Sequence, residues 1–308
     1  MVTFGSSLGI GELARLAGVP VRTVRFYCDE GLLEPVRSAG GHRRFDRSAV
    51  ERLRLVRRLR GLGMGLSAIA GVLDGRRSLA EAAEAERAAL DVELAALAWR
   101  RASLRAIAEA GPAERAARLE LLSTVTDGAA AHSALIAFWR GVAVAPLPDD
   151  VVDALLDMLV PTPPSDPAPG HVVAYAELVA LTADRSLTRR MRERATAQLA
   201  VIRDEVGMLV GVGEACEMAE RSVRAGDRPG PGPALDAFVA AHAAARARRD
   251  TPAFRRELNL DVEVHRDRRL MRYWRLAGEV TGSELVPNAG HTWLLTALQR
   301  WVHEAAAA

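Results

Sequence analysis

Residues 10–33 read Ile10-Gly11-Glu12-Leu13-Ala14-Arg15-Leu16-Ala17-Gly18-Val19-Pro20-Val21-Arg22-Thr23-Val24-Arg25-Phe26-Tyr27-Cys28-Asp29-Glu30-Gly31-Leu32-Leu33. Ile10, Leu13, Ala14 and Ala17 fall on one helical face, and Gly18 stops that helix. Pro20 and Val21 open a second helix through Glu30, with Val21, Val24 and Cys28 inward. Proline at a helix start gives up an amide that has no helical partner. Two short helices joined by a tight turn can set the second into the major groove of DNA. Away from its apolar face the second helix displays Arg22, Thr23, Arg25 and Phe26. Arginine makes paired bonds to guanine, and threonine meets a thymine methyl or a phosphate.

Working outward, Leu32-Leu33-Glu34-Pro35 leads into two extended runs, Val36-Arg37 and Arg43-Arg44-Phe45. The Ser38-Ala39-Gly40-Gly41-His42 stretch between them predicts a hairpin. Its tip carries Arg37, His42, Arg43 and Arg44, a wing able to reach phosphates or a narrow minor groove. A third helix is predicted over roughly 47–60 and a short fourth from about Ser67. Ser78-Leu79-Ala80-Glu81 is a capping box opening a long helix that runs to about Glu109, before Gly111-Pro112. Its apolar stripe, centred on Leu90, Leu94, Leu97 and Leu104, suits a two-stranded dimer helix. Packing of that stripe on the chain's own C-terminal half suits it equally.

Composition bounds the function. The 308 residues allow two or three domains, and 49% hydrophobic residues exclude a mainly disordered chain. Lysine is absent: all 41 basic residues are arginine, which excludes P-loop, Schiff-base and kinase lysines. Two cysteines, Cys28 and Cys216, exclude a disulfide framework, a thiolate zinc site and a four-cysteine iron–sulfur site. No apolar run reaches the ~18–20 residues of a membrane span, and no signal pattern opens the chain, so a cytoplasmic protein without a membrane partner is expected. Charge is uneven. Residues 1–77 hold 14 Arg against 7 Asp and Glu, whereas residues 78–308 hold 27 against 32. A basic head on an acidic body suits a nucleic-acid module joined to a regulatory one.

The remainder reads as all-helical, with apolar helices near 115–144, 149–160, 171–183, 187–224, 234–249, 252–280 and 291–305. Thr251-Pro252 is an N-cap followed by proline. An effector pocket needs apolar walls and a few polar groups. Trp139, Tyr175, Tyr273, Trp274 and Trp293 are the candidates, with His132, His171, His242 and His265 as polar groups. Core packing accounts for the same residues. Enzyme motifs fail on context: Gly5-Ser6-Ser7-Leu8-Gly9 and Gly9-Ile10-Gly11-Glu12-Leu13-Ala14 match loose patterns, but neither follows a predicted strand. No enzyme, cofactor or metal site is expected.

The stretches Ile10-Gly-Glu-Leu-Ala, Thr23-Val24-Arg25-Phe26-Tyr27, Glu30-Gly31-Leu32-Leu33 and Gly41-His42-Arg43-Arg44-Phe45-Asp46, with Val50-Glu51-Arg52-Leu53 after them, resemble in order and spacing the winged helix-turn-helix of MerR-type transcriptional regulators. The likeness runs from Leu8 to about Leu73. It implies a mainly α chain: residues 1–77 a DNA-binding domain with a small hairpin wing, 78–110 a dimerisation helix, and 111–308 an all-helical effector or regulatory domain. It implies that Val21, Arg22 and Thr23 face bases, that Arg25 and Tyr27 contact the DNA backbone, and that Arg43 is the wing arginine. His42 and Phe26 depart from the family's commoner residues. The partners implied are promoter DNA, a second copy of the chain, RNA polymerase at the promoter and a small organic effector, because no cysteines stand where the family's metal and redox branches hold them. A DNA-tethered scaffold, whose helical body binds a protein and no small ligand, is the alternative.

Overall fold

The computed structural model describes residues 7–37, 43–283 and 288–307. Chain contacts divide it into two units, Met1–Leu94 and Ala95–Ala308.

The first unit begins with β1 (Leu8–Gly9), α1 (Ile10–Ala17) and α2 (Val21–Asp29). β2 (Val36–Arg37) and β3 (Arg43–Phe45) follow, then α3 (Ser48–Gly61) and α4 (Leu66–Leu73). The predicted two-stranded wing is three-stranded, in the order β1-β3-β2, with both pairings antiparallel. β1 is two residues long, too short for alternation to reveal it. The turn between α1 and α2 depends on Gly18, whose φ is 63°. Its N–H donates to Arg15 O and that of Val19 to Ala14 O, closing the helix end. Leu13, Val24, Leu32, Leu33, Phe45, Leu53, Val56 and Ile69 form the core beneath the turn and the wing.

α5 (Leu79–Glu109) joins the units and has the bounds expected of it. The Ser78 N–H donates to Glu81 Oε2 at 2.8 Å and the Glu81 N–H to Ser78 Oγ at 3.1 Å, so the capping box forms. These bonds hold the Glu81 carboxyl below its usual range.

The second unit is all-helical: α6 (Arg115–Ser123), α7 (Gly128–Val142), α8 (Asp149–Leu159), α9 (Pro169–Thr182), α10 (Arg185–Leu199), α11 (Glu205–Ala225), α12 (Pro233–Ala245), α13 (Pro252–Asp261), a 3-10 turn (Glu263–Arg266), α14 (Arg268–Thr281) and α15 (Ala289–Ala307). Three predicted long helices are broken. An aspartate caps the second piece each time, Asp127 accepting from Ala130 N, Asp204 from Gly207 N and Asp267 from Arg269 N. Each cap meets amide groups that have no helical partner, so a new helix axis starts there. No single described helix is long and apolar enough to cross a membrane; α6 and α7 qualify only together, and they bend by 71°.

Two cores hold this unit. One gathers Trp99, Leu135, Trp139, Tyr175, Leu178, Tyr273 and Trp274. The other gathers Phe238, Val239, Phe254, Leu258, Leu294 and Leu298. Beside the second, burial, together with nearby arginines, pushes His265 down to about 4. The unfolded value is about 6.5, so the native state binds fewer protons than the unfolded one in this range. The stability His265 contributes is complete above about pH 6.5 and is lost as pH falls toward 4. The melting temperature of the full chain is expected to fall across that interval, and His265→Asn to flatten the fall. A slope unaltered in the variant contradicts this.

Candidate nucleic-acid interface

α2 is nine residues long and carries two faces. Val24 and Tyr27 are buried in the head core, while Arg22, Arg25 and Phe26 point outward. Among the described residues Arg22 and Arg25 make no ion pair and no side-chain hydrogen bond, and both side chains are exposed. Val21 and Thr23, at the leading end, are half-buried. The expected base-facing residues thus share one end of one helix with a free arginine behind them.

Tyr27 departs from expectation. It was expected to contact the DNA backbone, yet it is only 8% exposed and its ring packs in the core. A face drawn through Val24 at four-residue spacing puts Cys28 inward. The helix buries the three-residue neighbour instead, because Leu32 and Leu33 fold back with their N–H groups donating to Tyr27 O. Phe26 is the aromatic left outside, 47% exposed, with its ring 5.6 Å from that of Tyr27. A ring directly after Arg25, one turn beyond Arg22, was visible in the sequence but was not chosen as a site residue. Cys28 is half-buried, and burial raises its thiol pKa, as suits a small core side chain.

The wing arginines divide. Arg43 Nη2 donates to Asp29 Oδ1 at 3.1 Å, tying β3 to the end of α2. That pair is exposed and therefore weak, leaving Arg43 able to exchange a carboxylate for a phosphate. Arg44 was expected beside it on the nucleic-acid face. Its Nε donates to Ser7 Oγ at 3.1 Å and its Nη2 to Ser7 O at 2.8 Å, so it pins the chain ahead of β1. Arg37 contributes its backbone to β2, where it pairs with Arg43. His42 lies outside the described residues.

Other arginines of the head act as scaffold. Arg52 donates to Leu32 O and Asp74 Oδ1, Arg54 to Leu16 O, and Arg57 to Ala17 O at the end of α1. Without lysine, arginine serves both helix-end carbonyls and the outer face. Sequence alone does not separate the two uses.

The α5 stripe is uncovered. Leu90, Leu94, Leu97 and Leu104 are 48, 63, 53 and 60% exposed. On another face of the helix, Trp99, Ala102 and Ala106 are buried in the core of the second unit. Within each unit the described residues leave these leucines largely uncovered.

The aromatic residues considered for a pocket occupy cores. Trp139, Tyr175, Tyr273 and Trp274 lie in one cluster, and Trp293 packs against the other. The polar atoms of Trp139, Tyr175, Tyr273 and Trp293 already have partners. Trp139 Nε1 donates to Tyr273 Oη at 2.9 Å, and Tyr273 Oη donates to Leu159 O at 2.8 Å. Tyr175 Oη donates to Pro161 O, and Trp293 Nε1 to Asp227 O. Burial pushes the Cys216 thiol up to about 12, which removes it as a nucleophile near neutral pH.

Helix, glycine turn, outward arginine helix and small wing together define a winged helix-turn-helix DNA-binding module. Residues 8–76 match the family described as MerR HTH family regulatory protein, and the N-terminal unit is a MerR-family domain. The chain is 41% identical over 87 residues to nodulation protein NolA of Bradyrhizobium sp. (strain NC92), covering 28% of this chain and 37% of that protein. It is 35% identical over 85 residues to the HTH-type transcriptional regulator HmrR of Rhizobium leguminosarum bv. viciae, covering 28% and 61%. Against the HTH-type transcriptional activator TipA of Streptomyces coelicolor it is 44% identical over 69 residues, covering 22% and 27%. The chain thus spans about a third of the length of the NolA relatives it matches. No solved structure matches it.

The two kinds of arginine are separable by experiment. Arg25→Ala is expected to lower the salt slope of duplex binding by about 0.9 and leave the melting temperature of the protein unchanged. Arg44→Ala is expected to lower the melting temperature and leave that slope alone. The reverse pattern contradicts the division.

Proposed function

We propose that the chain is a homodimeric, sequence-specific regulator of transcription that grips promoter DNA. The observation that carries this is the free, outward face of Arg22, Arg25 and Phe26 on α2, held next to a wing that presents Arg43. In this reading residues 1–77 bind DNA, 78–110 pair with a second copy, and 111–308 sense a small organic effector. Val21, Arg22 and Thr23 meet base edges, while Arg25 and Arg43 meet phosphates and fix the register.

The exposed leucine stripe of α5 supports the pairing. Leu90, Leu94, Leu97 and Leu104, at four-, three- and seven-residue steps, remain exposed over more than three turns, and a second copy of the same helix would bury them. A twofold pair presents two recognition helices, so each copy reads one half-site. Deformation of the duplex between half-sites costs a few kcal/mol, and contacts to both halves offset it. Such distortion would realign promoter elements for RNA polymerase. An effector changes the outcome only by binding one conformation of the pair more tightly than the other.

Selection of bound duplexes from a random pool, with footprinting of the selected sequence, tests the reading. A near-palindromic site with distorted DNA between its half-sites is expected. Arg22→Ala should relax base preference at one position in each half, and Leu97→Arg should give a monomer with binding weakened by at least about tenfold. An undivided, asymmetric site bound equally well by the Leu97 variant contradicts it.

A further inference from the structure

The second unit gathers buried positive charge that its carboxylates do not match. Arg246, which caps the end of α12, has a side chain only 3% exposed. Its Nη1 donates to His242 O at 3.0 Å and lies 3.1 Å from His242 Nδ1. Its Nε and Nη2 have no hydrogen-bond partner among the described residues. The one described carboxylate within reach is Asp261, whose Oδ2 is 3.9 Å from Nη2. Asp261 is already held by Arg194, which pairs with its carboxylate and donates from Nε to its backbone oxygen.

A second guanidinium adds to the imbalance. Arg266 gives its Nη atoms to neutral acceptors, Asn259 Oδ1, Asn259 O and Leu295 O. Its buried Nε has no partner among the described residues. Glu257 and Glu263 act on these arginines only at a distance. A buried guanidinium without a matching anion is costly, and proteins seldom retain one without a use.

Three histidines far apart in sequence complete the surroundings. His242 comes from α12, His265 from the 3-10 turn and His291 from α15. The rings of His265 and His291 lie 5.5 Å apart, and Phe238 stands edge-on to His242 and His291 at 4.6 and 5.9 Å. Among the described residues no group converges as a metal-ligand set. His265 and His291 are half-buried.

The orphaned atoms make the chemistry specific. Nε and Nη2 form the side-on edge of a guanidinium, two nearly parallel N–H bonds matched to the two oxygens of a carboxylate or phosphate. We propose that Arg246 and the adjoining His242, with His265, His291 and Arg266 next in the cluster, form a binding site for a small oxyanion, and that the histidines take up protons as it binds. Burial, with Arg246 and the neighbouring histidines and arginines, holds His242 at about 3, His265 at about 4 and His291 at about 3, so all are neutral near pH 7. A bound anion opposes those arginines and raises all three values. Binding therefore tightens as pH falls.

Calorimetric titration of the full chain with acetate, benzoate and inorganic phosphate tests the site. Saturable binding is expected, tightening as pH falls from neutrality toward the free-state value of about 4 at His265, with proton uptake read from the dependence of the heat on buffer. Arg246→Met and Arg266→Met should each weaken it by at least about tenfold. Circular dichroism identifies which variant folds, and either one decides. Preference for phosphate or for a carboxylate sets the class of the ligand; both support the site. No binding of any probe at millimolar concentration, or binding unchanged in a folded variant, overturns it. Binding independent of pH overturns the role of the histidines. The site does not rest on the regulator reading, and because no DNA enters the titration the two fail separately.

Discussion

Nine residues of α2 meet two opposed demands. The helix has to bury enough apolar surface to be fixed on the head, and it has to keep cationic groups away from the head's own carbonyls and carboxylates. Val24 and Tyr27 meet the first demand, and Arg22 and Arg25 meet the second. Everything around α2 preserves that split. Gly18 sets the angle of the helix, the Leu32 and Leu33 amides hold its last turn, and Arg43 reaches from the wing to Asp29 at its end. A cation without an internal partner weakens the isolated domain slightly, and a stronger contact with an external polyanion offsets that.

The absence of lysine makes arginine a structural as well as a binding residue. A guanidinium can reach several oxygens at once. Arg52 uses this to join the end of α2, α4 and the loop after α4 through Leu32 O, Leu73 O and Asp74. In the second unit Arg269 joins Asp184, the cap of α10, to Asp267, the cap of α14. Against this pattern of satisfied arginines, the bare edge of Arg246 stands out as chemistry without an internal purpose.

The sequence made some elements plain and hid others, for physical reasons. The bounds of α5 were legible because a serine–glutamate box opens it and Gly111-Pro112 closes it. The outward arginines of α2 were legible from helical period. β1 was not, since two residues carry no alternation. The breaks before α7, α11 and α14 were hidden because an aspartate inside a helical run looks like an exposed helix residue until its side chain turns back onto an amide. Arg43 and Arg44 differ in role although adjacent, because neighbouring strand residues point to opposite sides. The grouping of His242, His265 and His291 depends on three separate segments meeting, which no local pattern encodes.

In the proposed function two copies of the chain, paired through the α5 stripe, share one duplex. Sedimentation equilibrium of the full chain, alone and with a selected duplex, measures this directly. A dimer in the absence of DNA, and two chains per duplex in its presence, is the expected result. A monomer that stays single, or one chain per duplex, contradicts the account.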